Sequence, residues 1–122
     1  MTRRIAFLIY PGFQLLDAAG PIAAFEIAAR YKLGSYDLRV IAAETGLVPS
    51  SAGVSMPAVR FAPALAVDTL LVAGGDGAAA AAQCQKTRRS IQACAQQARR
   101  TTSVCSGAYL LGSLPACGSR FA

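Results

Sequence analysis

Cys105 sits in the run Ser103-Val104-Cys105-Ser106-Gly107-Ala108-Tyr109-Leu110-Leu111. A short β-prone stretch ends at a thiol, and a small residue, a glycine and an apolar helical stretch follow. That is the layout of a nucleophile elbow, a sharp strand-to-helix turn that lifts one side chain above a sheet. A helix N-terminus carries about half a positive charge, and such a site favours a nucleophilic thiolate. The competing reading is a small buried hydrophobe, a common role for cysteine. Asp17, ahead of Ala18-Ala19-Gly20-Pro21, is the acid that could hold or pass a proton for the thiol. An aspartate there also suits a helix N-cap, and both roles are open. Gly74 and Gly75 close an apolar run. Their N–H groups could bind an anion or a developing oxyanion, or the pair could serve only a tight turn. Gly74-Gly75-Asp76-Gly77 lacks the spacing of a dinucleotide fingerprint. Ser106 and Tyr10 complete the candidate ligand contacts, with Phe13 as a further candidate wall.

The other cysteines offer less. Cys84 and Cys94 lie on one expected helix and read as core filling, so iodoacetamide should label Cys105 ahead of both. With Cys117 included, the spacings match neither a C-x-x-C pair nor a zinc pattern. The chain has no histidine, which removes the commonest metal ligand and general base. Neither a metal nor a cofactor is expected.

These residues need a scaffold. Residues 4–10 form a continuous apolar run, as in a strand covered on both faces, and Pro11-Gly12 ends it. Helical spacing follows up to Arg30, with the start expected at Gly20 or Pro21, because proline suits a first turn. A second strand is expected over 36–43. A small hairpin joins 47–49 to 54–56 across Ser50-Ser51-Ala52-Gly53. Another buried strand covers 68–73, one long helix covers 78–98, and a last strand covers 101–104 ahead of the elbow helix. Alternating strands and helices predict a parallel sheet wrapped by helices. Ligands of such sheets bind beyond the carboxyl ends of the strands. Tyr10, Gly74-Gly75 and Cys105 all reach that edge. After the elbow helix come Leu114 to Ala122 with no further strand or long helix, so the last helical layer reads as incomplete.

The 122 residues make one domain, large enough for a true core. The net charge of +6 comes in scattered pairs, Arg3-Arg4, Arg88-Arg89 and Arg99-Arg100, as on solvated faces. No aromatic residues interleave with them to stack bases. Contact with DNA would need a separate DNA-binding domain, which these residues do not contain. No segment is long and apolar enough to span a membrane, and no signal peptide is visible. A cytoplasmic location with free thiols is the expectation.

Three blocks together resemble the ThiJ/PfpI family, within the class I glutamine amidotransferase-like superfamily. They are Phe7-Leu8-Ile9-Tyr10-Pro11-Gly12-Phe13-Gln14-Leu15-Leu16-Asp17-Ala18-Ala19-Gly20-Pro21, Thr69-Leu70-Leu71-Val72-Ala73-Gly74-Gly75, and Ser103 to Leu111. The resemblance covers about residues 3 to 112. It implies a flavodoxin-like, doubly wound parallel α/β sheet with flanking helices, truncated in its C-terminal part. Two branches share the blocks. One is the N-terminal amidase-like domain of AraC/XylS-type transcriptional regulators, which the turn at Val72-Ala73-Gly74-Gly75 and Cys105-Ser106-Gly107-Ala108-Tyr109 resemble more. The other is isonitrile hydratase, in which the aspartate shuttles a proton while the thiolate attacks. Without histidine, Cys-His peptidase chemistry is not expected. The resemblance implies a small-molecule ligand, a DNA partner only through a C-terminal domain, and a homodimer. A non-functional fragment is the third reading.

Overall fold

A computed structural model describes residues 1–114; the cysteine at 117 and the run from 115 to 122 lie outside the described residues. Six strands form one sheet: β1 (Arg3–Leu8), β2 (Tyr36–Ala42), β3 (Gly46–Pro49), β4 (Ser55–Arg60), β5 (Thr69–Val72) and β6 (Arg100–Ser103). Their order is β3-β4-β2-β1-β5-β6. All neighbours are parallel except β3 and β4, which form the expected antiparallel hairpin. β1 sits inside the sheet, with Ile5 paired to Leu38 on one side and to Thr69 on the other. This is the mostly parallel, helix-flanked architecture of a flavodoxin-like α/β fold.

The strand period of two splits the core. Ile5, Phe7 and Leu71 face α1 (Leu15–Tyr31), where Ile22 and Phe25 meet them. The Phe25 ring packs edge-on against Phe7 at 6.1 Å and against Tyr36 at 5.0 Å. Ala6, Leu8, Leu70 and Val72 belong to the larger core with α2 (Ala78–Gln83), α3 (Gln85–Gln97) and α4 (Gly107–Gly112). Ile91, Cys94, Leu110 and Leu111 fill it.

Two helix boundaries differ from the sequence reading. α1 begins at Leu15, and Pro21 lies inside it. The turn before it is tied down by Gln14 N–H donating to the Gly74 carbonyl (2.8 Å) and Gly12 N–H donating to the Pro49 carbonyl (2.9 Å). These tertiary bonds outweigh the backbone hydrogen bond that Pro21 cannot donate. Asp17 is therefore in the first turn, and the N-cap is Gln14. The expected long helix over 78–98 is two helices, broken at Cys84, whose backbone is extended (φ −82°, ψ 115°).

Charge gathers at the amino ends of the strands. Arg99 Nε lies 3.0 Å from Asp68, and Arg4 Nε lies 2.8 Å from Asp37. Solvated pairs of this kind contribute at most about 1 kcal/mol each. A fully buried Leu, Ile or Phe contributes about 1.5–3 kcal/mol, so burial, not charge, holds the sheet. The pairs still set a pH dependence. The Arg99 hydrogen bond, helped by the Thr69 hydroxyl, holds the Asp68 carboxyl below the usual carboxylate range. The Arg39 and Arg4 hydrogen bonds do the same for Asp37. A lowered folded-state pKa gives stability that is present above the unfolded value and is lost as pH falls through the folded one. Denaturant titrations should therefore show stability falling below about pH 4, with a shallower fall in Asp68→Asn. An identical pH profile for that variant would exclude Asp68 as a source.

Candidate active site at the elbow cysteine

Cys105 follows β6 directly. Val104 N–H donates to the Val72 carbonyl (3.0 Å), continuing the ladder one residue past the strand. The chain then reverses: Gly107 N–H donates to the Val104 carbonyl (2.9 Å) and α4 begins. Cys105 takes up the turn with φ 51°, in the left-handed region, and its side chain is exposed. A non-glycine residue there costs on the order of 1–3 kcal/mol and persists only where its surroundings enforce it. Here the enforcement comes from the ladder bond on one side and from buried Leu110 and Leu111 on the other.

Gly74 is where the remaining parts meet. A Cβ built there would lie 2.8 Å from Asp17 Oδ2, 2.8 Å from Ser106 N and 2.7 Å from the Val104 carbonyl oxygen. The first turn of α1, the end of β5 and the elbow thus touch around one residue with no side chain. Gly75 has φ 143°, and its N–H donates to Ser106 Oγ (2.9 Å). Ser106 therefore clamps the glycine turn to the elbow, and the Gly75 N–H is occupied. The N–H groups of Gly74, Cys105 and Ser106 have no acceptor among the described residues. These three N–H groups are left unbonded around the turn, whereas that of Gly75 is spent on Ser106.

Tyr10 lies beneath the site. It is buried, and its hydroxyl donates to the Ala73 carbonyl at 2.6 Å. Burial, then the proximity of Asp17 and Cys105, push its phenol well above the usual range. It stays a neutral donor that props the strand end preceding Gly74. Phe13 is wholly buried and packs in the core. Tyr10 and Pro11 also back onto a separate groove of about 340 Å³ between β1, β3 and the start of α3.

Cys94 is buried as expected, and burial pushes its thiol up to about 12. Cys84 is not core filling; it is exposed at the break between α2 and α3. The hydroxyl and N–H of Thr87 and the N–H of Lys86 favour its thiolate and draw its pKa below the usual value. Brief iodoacetamide treatment followed by peptide mapping should therefore modify Cys105 and Cys84 and spare Cys94. Labelling of Cys94 at a comparable rate would contradict the packing. Among the described residues no cluster of His, Cys, Asp and Glu could hold a metal ion, and no helix is long and apolar enough to cross a membrane.

A mostly parallel α/β domain with an exposed cysteine at a strained strand-to-helix turn, which meets Asp17 at Gly74, belongs to the flavodoxin-like class. The model of the DJ-1/PfpI family matches residues 3–120, and the chain belongs to that family. It is 36% identical over 111 residues to a protein of uncharacterised function from the cpoL 5′ region of Streptomyces lividans, covering 90% of this chain and 78% of that one. It is 34% identical over 116 residues to isonitrile hydratase of Pseudomonas putida, covering 93% of this chain and 48% of the enzyme. Among solved structures, a ThiJ/PfpI family protein from Pseudomonas syringae superposes with TM-score 0.80 at 29% identity, covering 95% of this chain and 47% of that one. An AraC family transcriptional regulator from Pseudomonas putida shares the fold, with TM-score 0.71 at 18% identity over 90% of this chain and 60% of the regulator. The chain thus spans about half the length of the hydratase and of the P. syringae protein.

Proposed function

We propose that this domain captures a small, uncharged electrophile on Cys105 and serves as the sensing module of an AraC-type transcriptional regulator. The observation that carries the reading is the exposed Cys105 at φ 51°, in a turn that meets Asp17 at Gly74 and leaves three amide N–H groups unbonded. The thiolate adds to an electrophilic carbon, the amide N–H groups take the charge that develops, and Asp17 holds the proton nearby. No histidine of this chain is at hand to drive repeated turnover. Binding would bias a DNA-binding domain carried elsewhere in the full protein, acting as a cytoplasmic homodimer. The likeness in fold to an AraC family regulator supports this reading.

The 34% identity to an isonitrile hydratase favours a second reading, net hydration of an isonitrile. The thiol adds across the isonitrile carbon, forming C–S and C–H bonds. Water then adds to that carbon and the sulfur leaves with its electron pair, giving an N-substituted formamide and the free thiol. One experiment separates the two. Incubation with an alkyl isonitrile, followed by intact mass and by chromatography of the products, should give a one-to-one adduct on Cys105 with no accumulating formamide. Many formamide equivalents per chain would establish the hydratase reading instead. Neither adduct nor product would remove the case for capture of this electrophile.

A further inference from the structure

Away from the elbow, a groove of about 290 Å³ runs between the end of β4 and the outer face of α3. Arg60, Lys86 and Arg89 line it, with Glu44 as its one carboxylate. Lys86 pairs with Glu44. Arg60 and Arg89 form no ion pair within 4 Å among the described residues, although Arg60 is near enough to act on Glu44 through space. Three cations against one carboxylate leave the groove with a net charge of +2. Its apolar wall is Phe61, Pro63 and Ala93, with Phe61 nearly buried. The Ser90 hydroxyl donates to the Lys86 carbonyl, so the guanidinium groups remain as the donors for an anion.

We propose that this groove is a second ligand site, taking a small organic oxyanion whose apolar body lies on Phe61 and Pro63 while its charged end meets Arg60 and Arg89. Guanidinium forks match the paired oxygens of carboxylates and phosphates. None of Tyr10, Asp17, Gly74, Gly75, Cys105 or Ser106 lines it, so it is distinct from the elbow site. A pocket of these dimensions accommodates a ring-sized body. The absence of other aromatic residues from its lining argues against stacked nucleobases.

Calorimetric titration of the 122-residue chain at constant ionic strength, with phenyl phosphate, benzoate, inorganic phosphate and benzyl alcohol, tests the proposal. Phenyl phosphate or benzoate should bind about tenfold or more tighter than inorganic phosphate, because the ring buries apolar area. The stronger of the two organic anions identifies the headgroup. Benzyl alcohol, which lacks the anion, should not bind measurably. Arg60→Ala and Arg89→Ala should each weaken binding about tenfold. Arg30→Ala, which removes one positive charge on α1 outside the groove, should leave it unchanged. Amide chemical-shift changes in the wild-type chain should centre on Phe61, Arg89 and Ser90, a readout that does not depend on any variant folding. An equal loss in Arg30→Ala, shift changes centred elsewhere, or no preference for the ring-bearing anions would overturn it.

Discussion

Cys105→Ser is expected to abolish capture of an alkyl isonitrile, with the mass adduct falling below detection while the far-ultraviolet spectrum is unchanged. The exchange keeps the turn and nearly the same volume, and replaces only the nucleophile. A hydroxyl ionises far less readily than a thiol, and this chain has no histidine to activate it. Asp17→Asn should slow adduct formation without abolishing it, by roughly 10²-fold if the carboxylate handles the proton. Its carboxylate has no ion-pair partner among the described residues, so a large loss of stability is not expected. An adduct that survives in Cys105→Ser and maps to Cys84 would move the chemistry to the helix break. An adduct rate unchanged in Asp17→Asn would reduce that residue to its place in the first turn of α1.

The second large effect is structural. Gly107→Ala should destabilise the chain by about 1–3 kcal/mol, the usual range for forcing an atom into a filled space. A Cβ at Gly107 would overlap the Val72 carbonyl oxygen and lie 2.9 Å from that of Ala73. Both are backbone atoms at the end of β5, so neither can swing aside. Helix propensity alone predicts the opposite sign, since alanine is favoured over glycine by about 1 kcal/mol inside a helix. Guanidinium denaturation therefore decides between the two effects by sign. A more stable variant would mean that α4 does not rest on β5 as described. A less stable one should also let iodoacetamide reach Cys94, because the core that α4 covers would loosen together with the elbow.

The strands were readable because each carries its own pattern. Ile5 to Ile9 is apolar on both faces, as a central parallel strand must be, and all are buried. Thr69 to Val72 reads the same way and is buried throughout. The hairpin was readable from Ser50-Ser51-Ala52-Gly53 between two short β-prone runs. The helix boundaries were not. Pro21 is a first-turn residue by local rule, yet the bonds from Gln14 and Gly12 start the helix six residues earlier. The run from Ala78 to Ala98 has no local reason strong enough to mark the break at Cys84. That break moved a thiol from the expected core to the surface.

The order strand, cysteine, small residue, glycine, helix is a local property, and the sequence alone determined it, together with the alternating α/β pattern and the absence of histidine. Which groups surround the sulfur is a long-range property, decided only when the chain closed. Asp17, Gly74 and Ser106 are remote in sequence and share one point because β1 and β6 flank β5. Space for a single hydrogen at Gly74 is what lets them meet. The same closure spent the Gly75 N–H on Ser106 and aligned Arg60 with Arg89 across a groove. Neither follows from composition or spacing, because each depends on where a separate element lands.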